Sequence, residues 1–192
     1  MHAITTSLPN PDMSMNISVL GVPGSGKSTQ ARLLSEFLKV PFLSMGEVLR
    51  EKAEEATDRG RRIKQMLEAG ELIDDKTFLE VFEGEIAQEK YKNGVVLDGL
   101  PRTVDQARDL GAVLRVDKVI YLNVGDNIVS KRLIERGRAD DTPSVISHRL
   151  KVYHEETEPV LDWYKSRGVL FEVDGMGSVE EIFSQIKAVM AR

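Results

Sequence analysis

Nine residues constrain this chain more than any others. Gly21 to Thr29 read Gly-Val-Pro-Gly-Ser-Gly-Lys-Ser-Thr and complete a G-x-x-x-x-G-K-[ST] loop. The apolar run Ile17–Leu20 before it suits a buried strand. After it, Lys27–Leu38 carries Ala31, Leu33, Leu34, Phe37 and Leu38 at helical spacing. Gly21, Gly24 and Gly26 allow a tight turn with backbone N–H groups aimed at anionic oxygens. The helix N-terminus adds partial positive charge. Gly24, Ser25, Gly26, Lys27, Ser28 and Thr29 are therefore expected to hold a polyphosphate, with the Lys27 ammonium on its outer phosphates and the Ser28 hydroxyl on Mg²⁺. Such a loop alone serves switches, motors and transporters equally.

A second string narrows the choice. Val95–Leu97 reads as a strand, and Asp98-Gly-Leu-Pro-Arg-Thr-Val-Asp-Gln106 follows it. In open α/β sheets ligands sit beyond the carboxyl ends of strands, so Asp98 is a candidate for Mg²⁺ or its water shell. Read alone, it is equally a turn aspartate before Gly99. A carboxylate, a guanidinium and an amide beyond a second strand imply a second phosphate-bearing ligand across a metal. That is the layout of a small-molecule phosphotransferase.

Strand candidates Ile17–Leu20, Pro41–Ser44, Val95–Leu97, Val119–Asn123 and Val169–Val173 alternate with helical stretches. The pattern predicts a parallel sheet covered on both faces, a single α/β domain over 16–192. Residues 46–75 break the rhythm and predict a charge-rich helical insertion divided by Gly60 and Gly70. Ser44 with Glu47 predicts a capping box at its start, and Ser178 with Glu181 another before the last helix. Asp126–Arg136 reads as a helix, and Thr142-Pro143 starts a long one that breaks near Pro159 and stops at Gly168. Residues 1–15 read as a flexible tail. The first basic residue is Lys27, so a basic targeting segment is not expected, and no apolar run reaches membrane-spanning length.

A net charge of −5 argues against a general nucleic-acid or anionic-membrane surface. The absence of cysteine excludes disulfides and thiolate-ligated zinc. We expect a cytoplasmic protein, a monomer or small homo-oligomer, with neither nucleic acid nor membrane as partner.

Taken together, Gly21–Gln30, Asp98–Arg102, Arg138-Ala-Asp-Asp141, Arg149 and Glu158-Pro-Val with Tyr164 resemble the adenylate kinase family of nucleoside monophosphate kinases, most closely its short-lid forms. The resemblance runs from about Asn16 to the C-terminus. It implies a P-loop kinase fold in which 46–75 is the monophosphate-binding insertion and 136–141 a very short lid. It implies Mg²⁺-dependent, reversible transfer from ATP to AMP, giving two ADP.

By the same resemblance Arg50 and Arg102 hold the monophosphate, and guanidinium forks suit that task. Gln106 reads an adenine edge, and the backbone around Gly70, Glu71, Leu72 and Ile73 borders the same base. Met45, Gly99, Leu100 and Pro101 complete the AMP side. Arg132 faces the adenine of ATP, with Gly177 beside it, while Arg136, Arg138 and Arg149 take the phosphates. Each assignment has a plainer alternative. Arg50 alone is an exposed helix charge, Thr103 with Gln106 a helix cap, and the arginine cluster a solvated face paired with Glu135, Asp140 and Asp141.

The chain departs from the family pattern in places. Ser28 replaces the usual glycine, Met45 a small hydroxyl residue and Leu100 a phenylalanine. Gly177 stands where some members have lysine, and Gly137 alone separates Arg136 from Arg138, leaving no room for a zinc-bearing lid. A UMP/CMP kinase or broad-specificity monophosphate kinase is the nearest alternative. A nucleotide switch is a more distant one, because Asn123-Val-Gly-Asp126 lacks the lysine of a guanine reader. A non-catalytic binding protein is a third.

Overall fold

The computed structural model describes residues 15–138 and 141–191. Five strands form one parallel sheet: β1 (Met15–Gly21), β2 (Phe42–Ser44), β3 (Gly94–Asp98), β4 (Lys118–Asn123) and β5 (Leu170–Asp174). Their spatial order is β2-β3-β1-β4-β5. All five predicted strands are present within two residues of their expected ends. β1 begins at Met15, so the expected tail loses its last residue to the sheet, and its remainder lies outside the described residues.

Side-chain alternation along β1 serves two cores at once. Ile17 and Val19 pack with Ile120, Leu122 and Val96 against α1 (Lys27–Leu38) and α9 (Val179–Met190). Leu20 turns the other way, into a cluster with Val119, α5 (Val104–Val113) and α8 (Pro159–Lys165). A strand buried on both faces reads as a continuous apolar run, the reading Ile17–Leu20 invited.

The 46–75 region folds as α2 (Met45–Ala53), α3 (Asp58–Ala69) and the approach to α4 (Asp75–Ile86). Its apolar residues Met45, Leu49 and Ile63 join Leu43, Leu97, Leu100 and Phe82 in one cluster, so the insertion shares its core with the sheet edge. Two local expectations fail here. Ser44 makes no cap bond: its hydroxyl donates instead to Asp98 Oδ2 at 3.0 Å, and Glu47 pairs with Arg32. Gly60 does not divide the insertion. It lies inside α3, where a Cβ would stand 2.3 Å from the Glu55 carbonyl oxygen, so its role is close packing. Gly70 does end α3, in the left-handed conformation (φ 79°).

α6 (Asp126–Arg136) and α7 (Pro143–Val152) form as expected, with Thr142 capping the Val145 N–H. The predicted break takes the form of a π turn, Tyr153–Thr157, closed by the Glu158 N–H donating to the Tyr153 carbonyl at 2.8 Å. Pro159 lacks an N–H to continue the ladder, and α8 starts there. The Ser178–Glu181 capping box is present at α9.

Candidate active site

The parallel register brings the two motifs together. Asp98, last in β3, pairs with Val19 on one side and Ser44 on the other, next to the point where β1 enters the glycine loop. Gly24 (φ 85°) lets that loop approach α6: a Cβ there would lie 2.9 Å from both Leu133 Cγ and the Val129 carbonyl oxygen. Gly26 caps α1 with no side-chain bond, leaving the first amides of the helix to a ligand.

Lys27 is the hinge between the motifs. Its chain crosses Gly99 (φ 68°), where a Cβ would be 3.0 Å from Lys27 Cε. Its ammonium donates to the Val22 carbonyl at 3.4 Å. Desolvation in the cleft lowers its pKa to about 8. Asp98 opposes that shift, and the Arg102, Arg136 and Arg138 charges add to it. A phosphate group would add negative charge beside this lysine to that of Asp98.

Asp98 is 6% exposed. Its Oδ2 accepts from Ser28 Oγ at 2.7 Å and from Ser44, while its Oδ1 is buried without a partner. An orphaned carboxylate oxygen beside a loop hydroxyl fits a hard divalent cation. Among the described residues no group of three His, Cys, Asp or Glu side chains could cage a metal. Mg²⁺ is usually held by one or two protein oxygens together with substrate phosphates and water.

A cleft of about 210 Å³ opens from the loop toward the insertion. Gly24, Lys27 and Ser28 line it, together with Arg50, Arg102, Arg136, Arg138 and Arg149. Met45, Gly99, Leu100, Gln106 and the segment Glu71, Leu72 and Ile73 also line it. The Arg50 and Arg102 guanidinium groups meet over Gly46, where a Cβ would stand 3.5 Å from Arg50 Nη1 and 3.8 Å from Arg102 Nη2. Arg102 Nε also donates to the Gly99 carbonyl at 3.2 Å. Desolvation, with Arg149 and Arg50 nearby, pulls the Arg102 pKa below its usual value.

Arg136 and Arg149 share one anchor. Arg136 grips the fully buried Asp141 carboxylate with two bonds, 2.8 Å from Nε and 2.7 Å from Nη2, and Arg149 Nη1 adds a third at 3.2 Å. Desolvation opposes ionisation of Asp141, yet these guanidinium groups hold its pKa below the ordinary carboxylate value. The pairing foreseen for a solvated face is thus real in part, but it aims the arginines into the cleft. Asp140 lies outside the described residues, as does Ala139 of the lid segment.

A second recess of about 260 Å³ lies on the other side of the loop. Ser25, Gly26, Thr29, Arg132 and Gly177 line it, with Val179 and Ile182. Arg132 donates to the Ser25 and Gly175 carbonyls at 3.3 and 3.4 Å, which lays its guanidinium along the recess. Of the residues singled out in the sequence, Pro101 and Asp98 line neither recess. Pro101 is buried after a cis peptide, and Asp98 reaches the cleft through Ser28.

Sequence reasoning missed several contributors. Ser44 was read as a cap and serves Asp98. Asp75 meets the Gln106 amide at 2.9 Å, a contact between residues far apart in the chain that carries no local signal. His148 and Glu71 join at 2.9 Å, and Arg149 Nη2 donates to the Leu67 carbonyl, tying α7 to the insertion.

A family model described as adenylate kinase matches residues 19–169. Proteins named adenylate kinase from Stenotrophomonas maltophilia and Rhodococcus erythropolis are 38% and 39% identical to the chain. The two alignments cover 92% and 93% of it, and 99% and 100% of those proteins. One from a Mycobacterium species is 41% identical over 93% of the chain and all of its own length. The chain belongs to the adenylate kinase family.

Proposed function

We propose that this protein catalyses reversible, Mg²⁺-dependent transfer of the terminal phosphoryl group of ATP to AMP. One observation carries the reading. A single lysine side chain, Lys27, bridges the glycine loop and the Asp98–Arg102 string, and Arg50, Arg102, Arg136, Arg138 and Arg149 line the same cleft. Phosphoryl transfer needs in-line positioning and charge neutralisation more than covalent help. Loop amides and Lys27 hold the donor phosphates, and Arg50 and Arg102 hold the acceptor phosphate. Arg136, Arg138 and Arg149 neutralise the group in flight. No side chain stands out as an obligatory general base.

Ser28 and Asp98 would hold Mg²⁺, directly or through water, and the ion supplies charge neutralisation on the donor phosphates when bound. Gln106, with the 70–73 backbone, reads the acceptor adenine, and Arg132 with Gly177 flanks the donor base. The insertion at 46–75 and the short lid at 136–141 close over both nucleotides and exclude water, which would otherwise accept the phosphoryl group. The cytoplasm, where both nucleotides reside, is the compartment this activity calls for.

Met45 supports a second reading, a broader acceptor range. It is 1% exposed and puts bulk where the family has a small hydroxyl residue. A panel of AMP, UMP, CMP and GMP with Mg-ATP, followed by diphosphate formation, separates the two. AMP should show the highest kcat/KM, and a preference for UMP or CMP overturns the adenylate reading.

A further inference from the structure

We propose that Asp75 is a positioning residue that locks the Gln106 amide in one orientation and so selects a 6-amino over a 6-oxo purine in the acceptor site. The proposal rests on the reading that Gln106 faces the acceptor base.

Gln106 is 2% exposed and lies in the first turn of α5, capped by Thr103. Its Oε1 accepts the Arg102 backbone N–H at 2.9 Å, and its Nε2 donates to Asp75 Oδ1 at 2.9 Å. The same Asp75 oxygen accepts the Thr103 hydroxyl at 3.3 Å, and that hydroxyl accepts the Gln106 N–H at 3.0 Å. Both neighbours of the amide have fixed polarity. A backbone N–H only donates, and an aspartate carboxylate that already receives a hydroxyl proton only accepts. A flipped amide would set NH₂ against N–H and carbonyl oxygen against carboxylate, leaving two buried groups unmatched.

The lock determines what remains for a ligand. One lone pair on Oε1 and one hydrogen on Nε2 are still unused. An acceptor beside a donor matches the amino group and adjacent ring nitrogen of adenine. A 6-oxo purine offers the reverse, a carbonyl acceptor beside a ring N–H, and would need the forbidden flip. Thus Gln106 reads the base, while Asp75, at the first position of α4, determines how it is read.

Inosine monophosphate is the sharpest probe, because it differs from AMP only at the 6-position and the adjacent ring proton. The parent should favour AMP over IMP by at least on the order of 100-fold in kcat/KM. Asp75→Asn presents either polarity to the amide, so the ratio should narrow by about tenfold or more. The change should fall on KM for the two acceptors rather than on kcat. Asp75→Ser, whose hydroxyl also donates or accepts, is the second variant. In the ligand-free parent the Gln106 side-chain amide protons should exchange slowly. Asp75→Asn should speed that exchange while the Thr103-capped backbone N–H keeps its protection.

A parent that prefers AMP, with variants that fold and keep the parental ratio, overturns the lock and leaves the adenylate reading standing. Loss of fold in both variants also overturns it, since Asp75 would then be structural. A parent that prefers UMP or CMP overturns the adenylate reading, and the lock with it.

Discussion

The two base recesses are built differently. The proposed acceptor end presents committed side chains: a buried amide held from two sides, two guanidinium groups meeting over a glycine, and a buried methionine. The proposed donor recess is lined by loop backbone, the Ser25, Thr29 and Gln30 side chains, two aliphatic side chains and one arginine lying along carbonyl groups; the Gln30 amide is tied from one side, donating to the Val179 carbonyl at 3.0 Å. Polar side chains of fixed orientation discriminate strongly, because a wrong partner strands a desolvated group. Backbone, aliphatic surface and a planar cation tolerate any flat ring. On the proposed assignment, the contrast teaches that the acceptor base meets an amide fixed from two sides, whereas the donor base meets mostly backbone, aliphatic surface and an amide fixed from one side.

Lys27 stands between the two halves and offers the largest test. Lys27→Ala should fold, since the side chain belongs to no apolar cluster. It should lower kcat by on the order of 10³-fold in both directions of the reaction. A loss confined to one nucleotide's KM would place the lysine on one side and break the picture of a shared phosphate centre.

Arg102→Lys comes next. It keeps the charge but loses the planar fork, so kcat/KM for AMP should fall by about 2 kcal/mol, roughly 30-fold, while KM for ATP holds. Steady-state kinetics with each substrate varied in turn checks the asymmetry. An equal rise in both KM values would mean that Arg102 serves both phosphate sites.

The base recesses themselves can be compared by paired substitution. Gln106→Leu should reduce discrimination of AMP from UMP by roughly 1–3 kcal/mol. Arg132→Ala should change ATP-to-GTP discrimination by less than about 1 kcal/mol, the worth of one stacking cation at a partly exposed site. Donor discrimination that proved the larger of the two would invert the comparison.

The same contrast explains what could be read in advance. The glycine loop, its strand and its helix are local and periodic, so their residues and their joint geometry were legible from spacing alone. Asp98 and Arg102 were legible as a second site because they follow an apolar run, and the parallel register then sets them beside the loop. The roles proposed for Arg50, Gln106 and Arg132 came only by resemblance, since a lone helix charge or amide carries no local signature. The Ser44–Glu47 capping box misled because tertiary demand won: the buried Asp98 carboxylate takes the serine hydroxyl that a helix end would have used. Asp75 was invisible because its meaning lies in a contact to Gln106 across the gap between two helix starts. Gly60 looked like a divider because glycine marks breaks as often as close contacts. Only the Glu55 carbonyl packed against it distinguishes the two.

The smallest effect concerns the frame of the donor half. His154, in the π turn, sits between Glu158 at 2.8 Å and Asp126 at 2.9 Å, and so ties the turn to the first residue of α6, the helix that carries Arg132 and Arg136. Hydrogen bonds to Glu158 and then Asp126 raise its pKa above the ordinary histidine value, against a small opposing desolvation. A group whose folded pKa is raised binds more protons folded than unfolded. Its contribution is therefore complete below the unfolded value and is lost as pH rises through the folded one. The ring is partly exposed and salt-screened, so the effect should stay under about 1 kcal/mol. Melting temperature should decline slightly as pH rises from about 6 to 8, and His154→Gln should flatten that slope without altering acceptor selectivity. A slope that persists in the variant assigns the pH response to another group. A change in the AMP-to-UMP ratio would mean that the two halves are mechanically joined, and that the division drawn between them is too sharp.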